Sequence, residues 1–157
     1  MANFYGSGRS NYVRVKDLEL FSRVASTVFC AEVVGENPDD TVAESDRIAL
    51  LANSEIGHLE EWFNPDDPNI LDLFKDYPEL ENYREDEERI DSIRFIADSL
   101  QDGEVFVYTS AGNEKLRYVS GESWAVNSKG ALLFVSINDI YRKVKEVWGT
   151  EPTRAEY

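Results

Sequence analysis

The sequence predicts an α+β domain on a largely antiparallel sheet. Its segments follow the order β-α-β-β, then a helical insert, then α-β-β-β-α, and the final third has the turn chemistry of β-hairpins. A length of 157 residues suits one domain with its own hydrophobic core. We therefore expect a single domain over residues 1–157, with a helical insert at about 55–91 and a loose tail at 150–157.

The first third is predicted to contain two strands around one helix. Residues 11–15 (NYVRV) alternate as a short strand does, and Asp17 suits the N-cap of a helix that reaches about Ser26. Residues 27–34 are rich in β-branched and aromatic side chains, which favours a second strand. The preceding glycine-rich residues 6–10 lack the spacing of a phosphate-binding loop, so we expect a flexible arm.

The middle third is predicted to be mostly helical. After a polar loop at 35–45 and a strand at 47–52, Ser54 can cap a short helix through Phe63. A turn with two prolines separates it from one or two helical turns at 70–74. A longer helix is expected at 89–100, with the carboxylates just before it at the positive end of its dipole.

The final third is predicted to form hairpins and a last helix. The expected strands are residues 104–109, 115–120, 124–127 and 131–135. Glycines make residues 110–113 and 127–130 suitable turns, and Gly121 predicts a β-bulge. The last helix should begin after Ser136 or Asn138 and end at Gly149.

Charge is concentrated in one part of the chain, residues 55–91, called here the acidic segment. It holds fourteen carboxylates against three basic residues, and its local charge of −11 accounts for most of the net charge of −15. Apolar and aromatic residues are spread through it, whereas disordered acidic tails are poor in both. We therefore expect a folded acidic surface, which would attract basic proteins and repel nucleic acid and anionic membranes.

The acidic segment supplies the predicted partner-binding residues. Spaced carboxylates on ordered backbone can imitate the phosphates of DNA, so the expected partner is a basic nucleic-acid-binding protein or complex. Trp62, Phe63, Tyr77 and Tyr83 could anchor such a partner, but we expect packing of the segment onto the sheet to account for most of them. The predicted contact residues are Glu60, Glu61, Asp66, Asp67, Asp72, Asp76, Glu79, Glu81, Glu85, Asp86, Glu87 and Glu88.

The basic residues near the N-terminus are expected to serve the fold. Pairing with the protein's own acidic segment is a simpler role for them than contact with nucleic acid. These residues are Arg9, Arg14, Lys16 and Arg23.

Other chemistry has little support in the sequence. His58 is the only histidine and Cys30 the only cysteine, so neither a two-histidine zinc motif nor a disulfide framework is expected. The aspartates of residues 64–76 lack the glycine and the spacing of a calcium loop. We expect no enzyme activity, cofactor or metal, and without an apolar run for a signal peptide or a membrane span we expect a cytoplasmic protein.

Two blocks of the chain, YGSGRSNYVRVKD near the start and EKLRYVSGESWAVNSKGALLFVSINDIY near the end, resemble small uncharacterised proteins of phages and plasmids. The blocks cover about a quarter of the chain. The resemblance implies a mobile-element context, in which small acidic proteins that imitate DNA often inhibit host defence nucleases, as anti-CRISPR and antirestriction proteins do.

Three functional hypotheses follow from these observations. The leading one is an acidic, DNA-mimicking inhibitor of a host defence complex that acts in the host cytoplasm. The alternative is a protein-binding module that acts through the C-terminal hairpins near Tyr118 and Trp124. The third is a small enzyme that uses His58.

Overall fold

The computed structural model describes residues 4–37, 39, 41–52, 59, 61–114 and 118–153. Their six strands form one antiparallel sheet in the order β2-β3-β1-β4-β5-β6. The strands are β1 (Phe4–Ser10), β2 (Glu32–Gly35), β3 (Ile48–Ala52), β4 (Val105–Glu114), β5 (Tyr118–Asn127) and β6 (Leu132–Ser136). The helices are α1 (Leu18–Thr27), α2 (Pro68–Asp76), α3 (Ser92–Ser99) and α4 (Asp139–Trp148), with 3-10 turns at Val42–Glu44 and Pro78–Tyr83. The predicted α+β class is confirmed.

The glycine-rich start of the chain is a central strand. β1 pairs with both β3 and β4, and Gly8 faces Ala52 on one side and Ser110 on the other. The buried Ser10 hydroxyl accepts a hydrogen bond from the Leu50 N–H at 2.8 Å. The expected flexible arm is therefore wrong, because backbone pairing on both sides orders a segment whose small side chains carry no hydrophobic pattern. The strand expected at 11–15 is reduced to isolated bridges at Val13 and Val15.

The core lies between the sheet and helices α1 and α3. Phe21 of α1 stacks on Phe95 of α3 with ring centroids 6.0 Å apart, and Phe29 meets the same ring edge-on at 5.9 Å. From the sheet, alternate residues of β4 enter the core, of which Phe106 and Tyr108 are buried. The helix beginning after Asp17 is confirmed, with the Asp17 carboxylate accepting a hydrogen bond from the Leu20 N–H.

The second strand begins later than the sequence suggests. Val28 and Phe29 are fully buried in the connection after α1 rather than in a strand. Cys30 then takes a positive φ of 51°, which redirects the chain so that pairing with β3 begins at Glu32. The predicted strand at 27–34 is correct only in its last three residues, whereas the strand at 47–52 is confirmed.

The C-terminal hairpins are longer and more regular than predicted. Residues 110–113, expected to be a turn, belong to β4 and pair with both β1 and β5. β5 runs without interruption through Gly121, which faces Ala111 in regular register, so the expected bulge is wrong. The turn at 127–130 is confirmed, since the Asn127 side chain accepts hydrogen bonds from two backbone N–H groups and Gly130 has a φ of 79°.

Helix α4 lies apart from the core. It runs from Asp139 to Trp148 and ends at Gly149, whose φ is 67°, as predicted from the glycine. None of its residues is buried. Ile137, just before the helix, ties it to the sheet: a Cβ added at Gly121 would lie only 2.9 Å from the Ile137 Cγ2 atom. Gly121 is therefore a contact point between the sheet and the start of α4 rather than a bulge.

Two further expectations concern the C-terminal tail and the lack of a membrane-spanning helix. Of the tail expected at 150–157, residues 154–157 lie outside the described part of the chain. Among the described helices, none combines the length and the apolar character needed to cross a bilayer.

Candidate partner-binding surface

The described part of the acidic segment, residue 59 and residues 61–91, is fixed to the core by apolar anchors. Ile70 and Leu73 of α2 are buried, as are Leu80 in the following 3-10 helix and Ile90 before α3. Burial of each such side chain is worth about 1.5–3 kcal/mol. The carboxylates of this segment therefore project from ordered backbone, as expected of a folded acidic surface.

The start of the acidic segment differs from the prediction. The sequence predicts Trp62 and Phe63 at the end of a helix, but Trp62 forms a β-bridge with Arg89, and the Phe63 N–H donates to the Glu88 carbonyl at 2.9 Å. Residues 53–58 and 60 of that predicted helix, with His58 and Glu60, lie outside the described residues. At Trp62 and Phe63, cross-strand pairing with the chain before α3 therefore replaces the predicted helical face.

The helical turns at 70–74 are confirmed as part of α2. Asp67 caps this helix by accepting a hydrogen bond from the Asn69 N–H, and Pro68 occupies its first turn, where its missing N–H costs nothing. Tyr77 ends the helix, and the 3-10 helix beginning at Pro78 follows at once.

Residues 85–88 form the exposed tip of a small hairpin. Arg84 bridges to Ile90, and the Glu85 N–H donates to the Arg89 carbonyl at 3.0 Å. α3 begins only at Ser92, with Asp91 accepting from the Arg94 N–H as its N-cap. The predicted start of this helix at residue 89 is wrong, as is the placement of residues 85–88 at its dipole, because the buried bridge at Ile90 holds that stretch extended.

Arginines in and beside the acidic segment are stacked on aromatic rings. The Arg84 guanidinium lies 4.4 Å from the Phe74 ring centroid, and that of Arg89 lies 5.5 Å from the Trp62 centroid. Arg23 and Arg94 stack in the same way on Tyr77 and Tyr83. Each such contact contributes about 0.5–1 kcal/mol at a surface. These arginines therefore stabilise the folded conformation of the acidic segment.

The same arginines engage four of the twelve predicted contact residues. The Arg89 guanidinium donates to Glu61 at 2.7 Å and lies 3.1 Å from Glu85, while the other Glu61 oxygen accepts from Ser92. The remaining two pairs are Arg23 with Asp76 at 2.7 Å and Arg84 with Glu81 at 3.6 Å.

Two further predicted carboxylates are used by the backbone. Asp67 caps α2, and Asp86 accepts from the Glu88 N–H at 2.9 Å within the hairpin tip. Five of the predicted contact residues are left with exposed side chains and, within the described part of the chain, no hydrogen bond or ion pair through their carboxylates: Asp66, Asp72, Glu79, Glu87 and Glu88.

The electrostatic effect of the segment is visible in its titratable groups. The pKa of Arg89 is raised, first by its hydrogen bond to Glu61 and then, against a smaller effect of burial, by the nearby charges of Glu61, Glu85 and Asp86. The pKa of Tyr83 is raised chiefly by burial and further by Asp98. The shift of the Arg89 pKa thus reflects the carboxylates around it, whereas that of the Tyr83 pKa reflects burial first.

The proposed aromatic anchors divide into packing residues and one exposed ring. Phe63 is buried and lies 5.6 Å from the Phe74 centroid, and Tyr77 and Tyr83 are partly buried against the core. Trp62 keeps 57% of its surface exposed. Packing therefore accounts for three of the four, and Trp62 is available to a partner.

The N-terminal basic residues pair mostly within the fold. Arg23 bonds Asp76 of the acidic segment, whereas Arg14 donates to Asp46 at 2.7 Å and to Glu104 at 3.3 Å. The Lys16 ammonium donates to the Asp98 carbonyl oxygen at 2.7 Å.

A second candidate surface lies at the C-terminal end of the chain. The residues of β6 and α4 and the link between them expose large apolar side chains: Leu132, Leu133, Phe134, Val135, Ile137, Ile140, Val147 and Trp148. Trp124, which the alternative hypothesis places in the binding surface, packs instead 5.5 Å from the Phe106 ring and 5.8 Å from Tyr108. The side chain of Tyr118 lies outside the described residues. The exposed apolar residues of this region therefore lie one strand after the residues that the alternative hypothesis names.

A cleft with titratable walls lies beside the acidic segment. It has a volume of about 240 Å³ and is lined by Glu61, Ser92, Glu122 and Trp124 among others. Both Glu61 oxygens are already engaged by Arg89 and Ser92. Among the described residues no cluster of three metal-ligating side chains occurs.

Comparison with protein-family models, with curated proteins and with solved structures finds no match to this chain.

Proposed function

We propose that this protein is an acidic inhibitor that occupies the basic nucleic-acid-binding groove of another protein or complex, as a DNA mimic. The observation that carries the proposal is the set of five exposed carboxylates, Asp66, Asp72, Glu79, Glu87 and Glu88, which the fold leaves unengaged on ordered backbone. The local arginines neutralise other carboxylates and hold the segment in shape. The mobile-element resemblance makes a host defence nuclease, met in the host cytoplasm, the proposed target.

The physical basis is competition with phosphates. Carboxylates on an ordered backbone need only their side chains to be ordered when they bind, so they lose less entropy than a disordered acidic tail would. Charge complementarity of this kind speeds association and is screened within about 10 Å at 0.1 M salt. Binding should therefore weaken steeply as the salt concentration rises.

The test uses bacterial proteins bound to DNA-cellulose at low salt. The protein should release a specific subset of them, and a variant with Glu79→Lys, Glu87→Lys and Glu88→Lys should not. The matched control carries Glu36→Lys, Asp39→Lys and Asp102→Lys, which change the net charge equally at exposed sites outside the acidic segment.

The two variants separate a defined surface from general acidity. Release by the control but not by the acidic-segment variant supports the proposal. Release by the acidic-segment variant contradicts it, as does equal loss in both variants, because total charge rather than this surface would then be responsible.

The exposed apolar side chains of β6 and α4 favour a second candidate function, protein binding through the C-terminal surface. Residues 118–153 hold four acidic and four basic residues, so this contact should depend little on salt. A partner whose capture survives 1 M salt and is lost on Leu133→Glu would support this candidate.

A further inference from the structure

The residues of β6 and α4 and the link between them expose large apolar side chains. Those of β6 lie on both faces of the sheet, because Leu132 and Phe134 pair with Val126 and Trp124 whereas Leu133 pairs with Ala125 between them. A second strand at the free edge of β6 would therefore cover apolar side chains on both faces.

The backbone of β6 also has hydrogen-bonding groups that face outward. The Asn127 N–H donates to Ala131, and the Ile137 N–H donates to Gly121, so the odd-numbered residues of β6 direct their polar groups toward β5. Because the backbone N–H and C=O groups of successive residues point to opposite sides of a strand, those of Leu132, Phe134 and Ser136 point to the free edge. The Ser136 N–H is already taken by the Asp139 carboxylate at 2.7 Å.

The strand at the other edge of the sheet, β2, is less suited to pairing, because it has only four residues and one of them, Glu32, is charged. Along β6, in the described part of the molecule, no hydrogen bond reaches the outward groups of Leu132 or Phe134. An exposed, apolar edge strand of this kind is a template for pairing with another strand.

We infer that β6 pairs with β6 of a second copy of this chain, in a two-fold symmetric, antiparallel dimer centred on Leu133. In this register Leu132 faces Phe134 of the second copy, and the two residues exchange both backbone hydrogen bonds. The two-fold axis generates an identical pair, in which Phe134 of the first copy faces Leu132 of the second. A register centred on Phe134 would require the Ser136 N–H, which Asp139 occupies. The dimer joins the two sheets edge to edge.

Side chains and charge agree with this arrangement. Leu132 and Phe134 lie on the same side of the sheet as Trp124 and Val126, since they pair with those residues in β5. Leu133 lies on the opposite side, is 72% exposed, and meets its own copy at the axis. Residues 131–137 carry no charge, so two copies can approach here despite a net charge of −15 each.

The first test is sedimentation of the protein at micromolar concentration. The wild-type chain should sediment as a dimer, and Leu133→Glu or Leu133→Lys alone should raise the dimer dissociation constant more than about tenfold. The matched control Leu71→Glu places the same charge on an exposed leucine of α2 and should leave the dimer intact. A monomeric wild-type protein overturns the inference and leaves the surface to a different partner.

The register is tested by mixing the two charge variants. Because residue 133 faces itself across the axis, Leu133→Glu mixed with Leu133→Lys should restore a dimer, since opposite charges then meet. Two monomeric variants that remain monomeric when mixed would overturn this register.

A covalent trap provides a second measurement. Directly opposite residues that are not hydrogen-bonded lie about 4.5 Å apart between Cα atoms, within the range a disulfide can span. In a Cys30→Ser background, Leu133→Cys should form an oxidised dimer, whereas Leu132→Cys, which faces Phe134, should not. Equal trapping by both variants contradicts the register. None of these outcomes depends on the nucleic-acid-mimic proposal, because none involves another protein.

Discussion

At the scale of single residues, several half-buried charges connect distant parts of this chain. Arg14 joins the stretch before α1 to Asp46 and to Glu104, which lie 32 and 90 residues further on. Glu61 likewise bonds to Arg89 and to Ser92, which lie 28 and 31 residues further on. These carboxylates are structural, and this role could not be predicted from the sequence, because an acidic residue that pairs internally looks the same as one that does not.

The Arg14–Asp46 pair predicts a pH dependence of stability. The pKa of Asp46 is lowered, first by its hydrogen bond from Arg14 and then, against the effect of burial, by the charges of Arg14 and Arg47. A lowered pKa in the folded state stabilises the protein above the ordinary carboxyl value of about 4, and this stabilisation is lost as the pH falls through the lowered value. Asp46→Asn should therefore lower the melting temperature at pH 7 but not near pH 2.

The measurement is thermal unfolding of wild type and variant across this pH range. Asp72→Asn serves as the control, because Asp72 is exposed and its carboxylate makes no bond within the described part of the chain, and it should change little at any pH. A deficit for Asp46→Asn that is the same at both ends of the range would contradict the assignment.

At the scale of elements, the helices and strands that have a clear period of apolar residues or a capping residue could be predicted from the sequence. The elements that have neither could not. The helix after Asp17, the strand at 47–52 and the helix ended by Gly149 belong to the first group. β1 belongs to the second because Gly6, Ser7 and Gly8 show no apolar alternation, and strand pairing with distant residues overrides that local signal. The acidic segment is an insert as predicted, but its closing hairpin depends on pairing that local sequence does not reveal.

Gly121 predicts how closely α4 depends on the sheet. Gly121→Ala would place a methyl group against Ile137, because a Cβ at this position lies 2.9 Å from the Ile137 Cγ2 atom and a β-branched side chain has little room to rotate. We expect a loss of about 1–2 kcal/mol in the free energy of unfolding, measured by urea denaturation.

A double variant checks the cause of that loss. Ile137→Ala removes the opposing methyl group, so Gly121→Ala should cost much less in that background, as a double-mutant cycle would show. Equal costs in both backgrounds would mean that α4 and its connection do not press on Gly121.

At the scale of the whole molecule, charge is separated into regions. The acidic segment holds most of the net charge of −15, whereas residues 118–153 are balanced. One chain thus carries an acidic surface, for which we propose a basic partner, and a neutral, apolar edge, for which we propose a second copy. The α+β class and the position of the acidic insert could be predicted from the sequence. The apolar edge could not, because exposure of β6 depends on which strand ends the sheet.

The charge separation predicts that salt stabilises the fold. Like charges in the acidic segment repel one another, and raising the salt concentration from 0.01 M to 1 M shortens the screening length from about 30 Å to about 3 Å. The melting temperature should therefore rise with added potassium chloride at pH 7. In a variant with Asp66→Asn, Asp72→Asn, Glu87→Gln and Glu88→Gln the rise should be smaller, and an equal rise would show that the repulsion lies elsewhere.

The central position of β1 has a consequence for how the chain is made. β1 pairs along its whole length with β4, which begins almost a hundred residues later. During synthesis one side of β1 stays unpaired until β4 has left the ribosome, because β3, its other neighbour, is made long before β4. Contacts so distant in sequence slow folding. β1 therefore keeps one unpaired edge while the chain between β3 and β4 is made, and we expect a chaperone that shields residues 4–10 during that interval to raise the yield of folded protein.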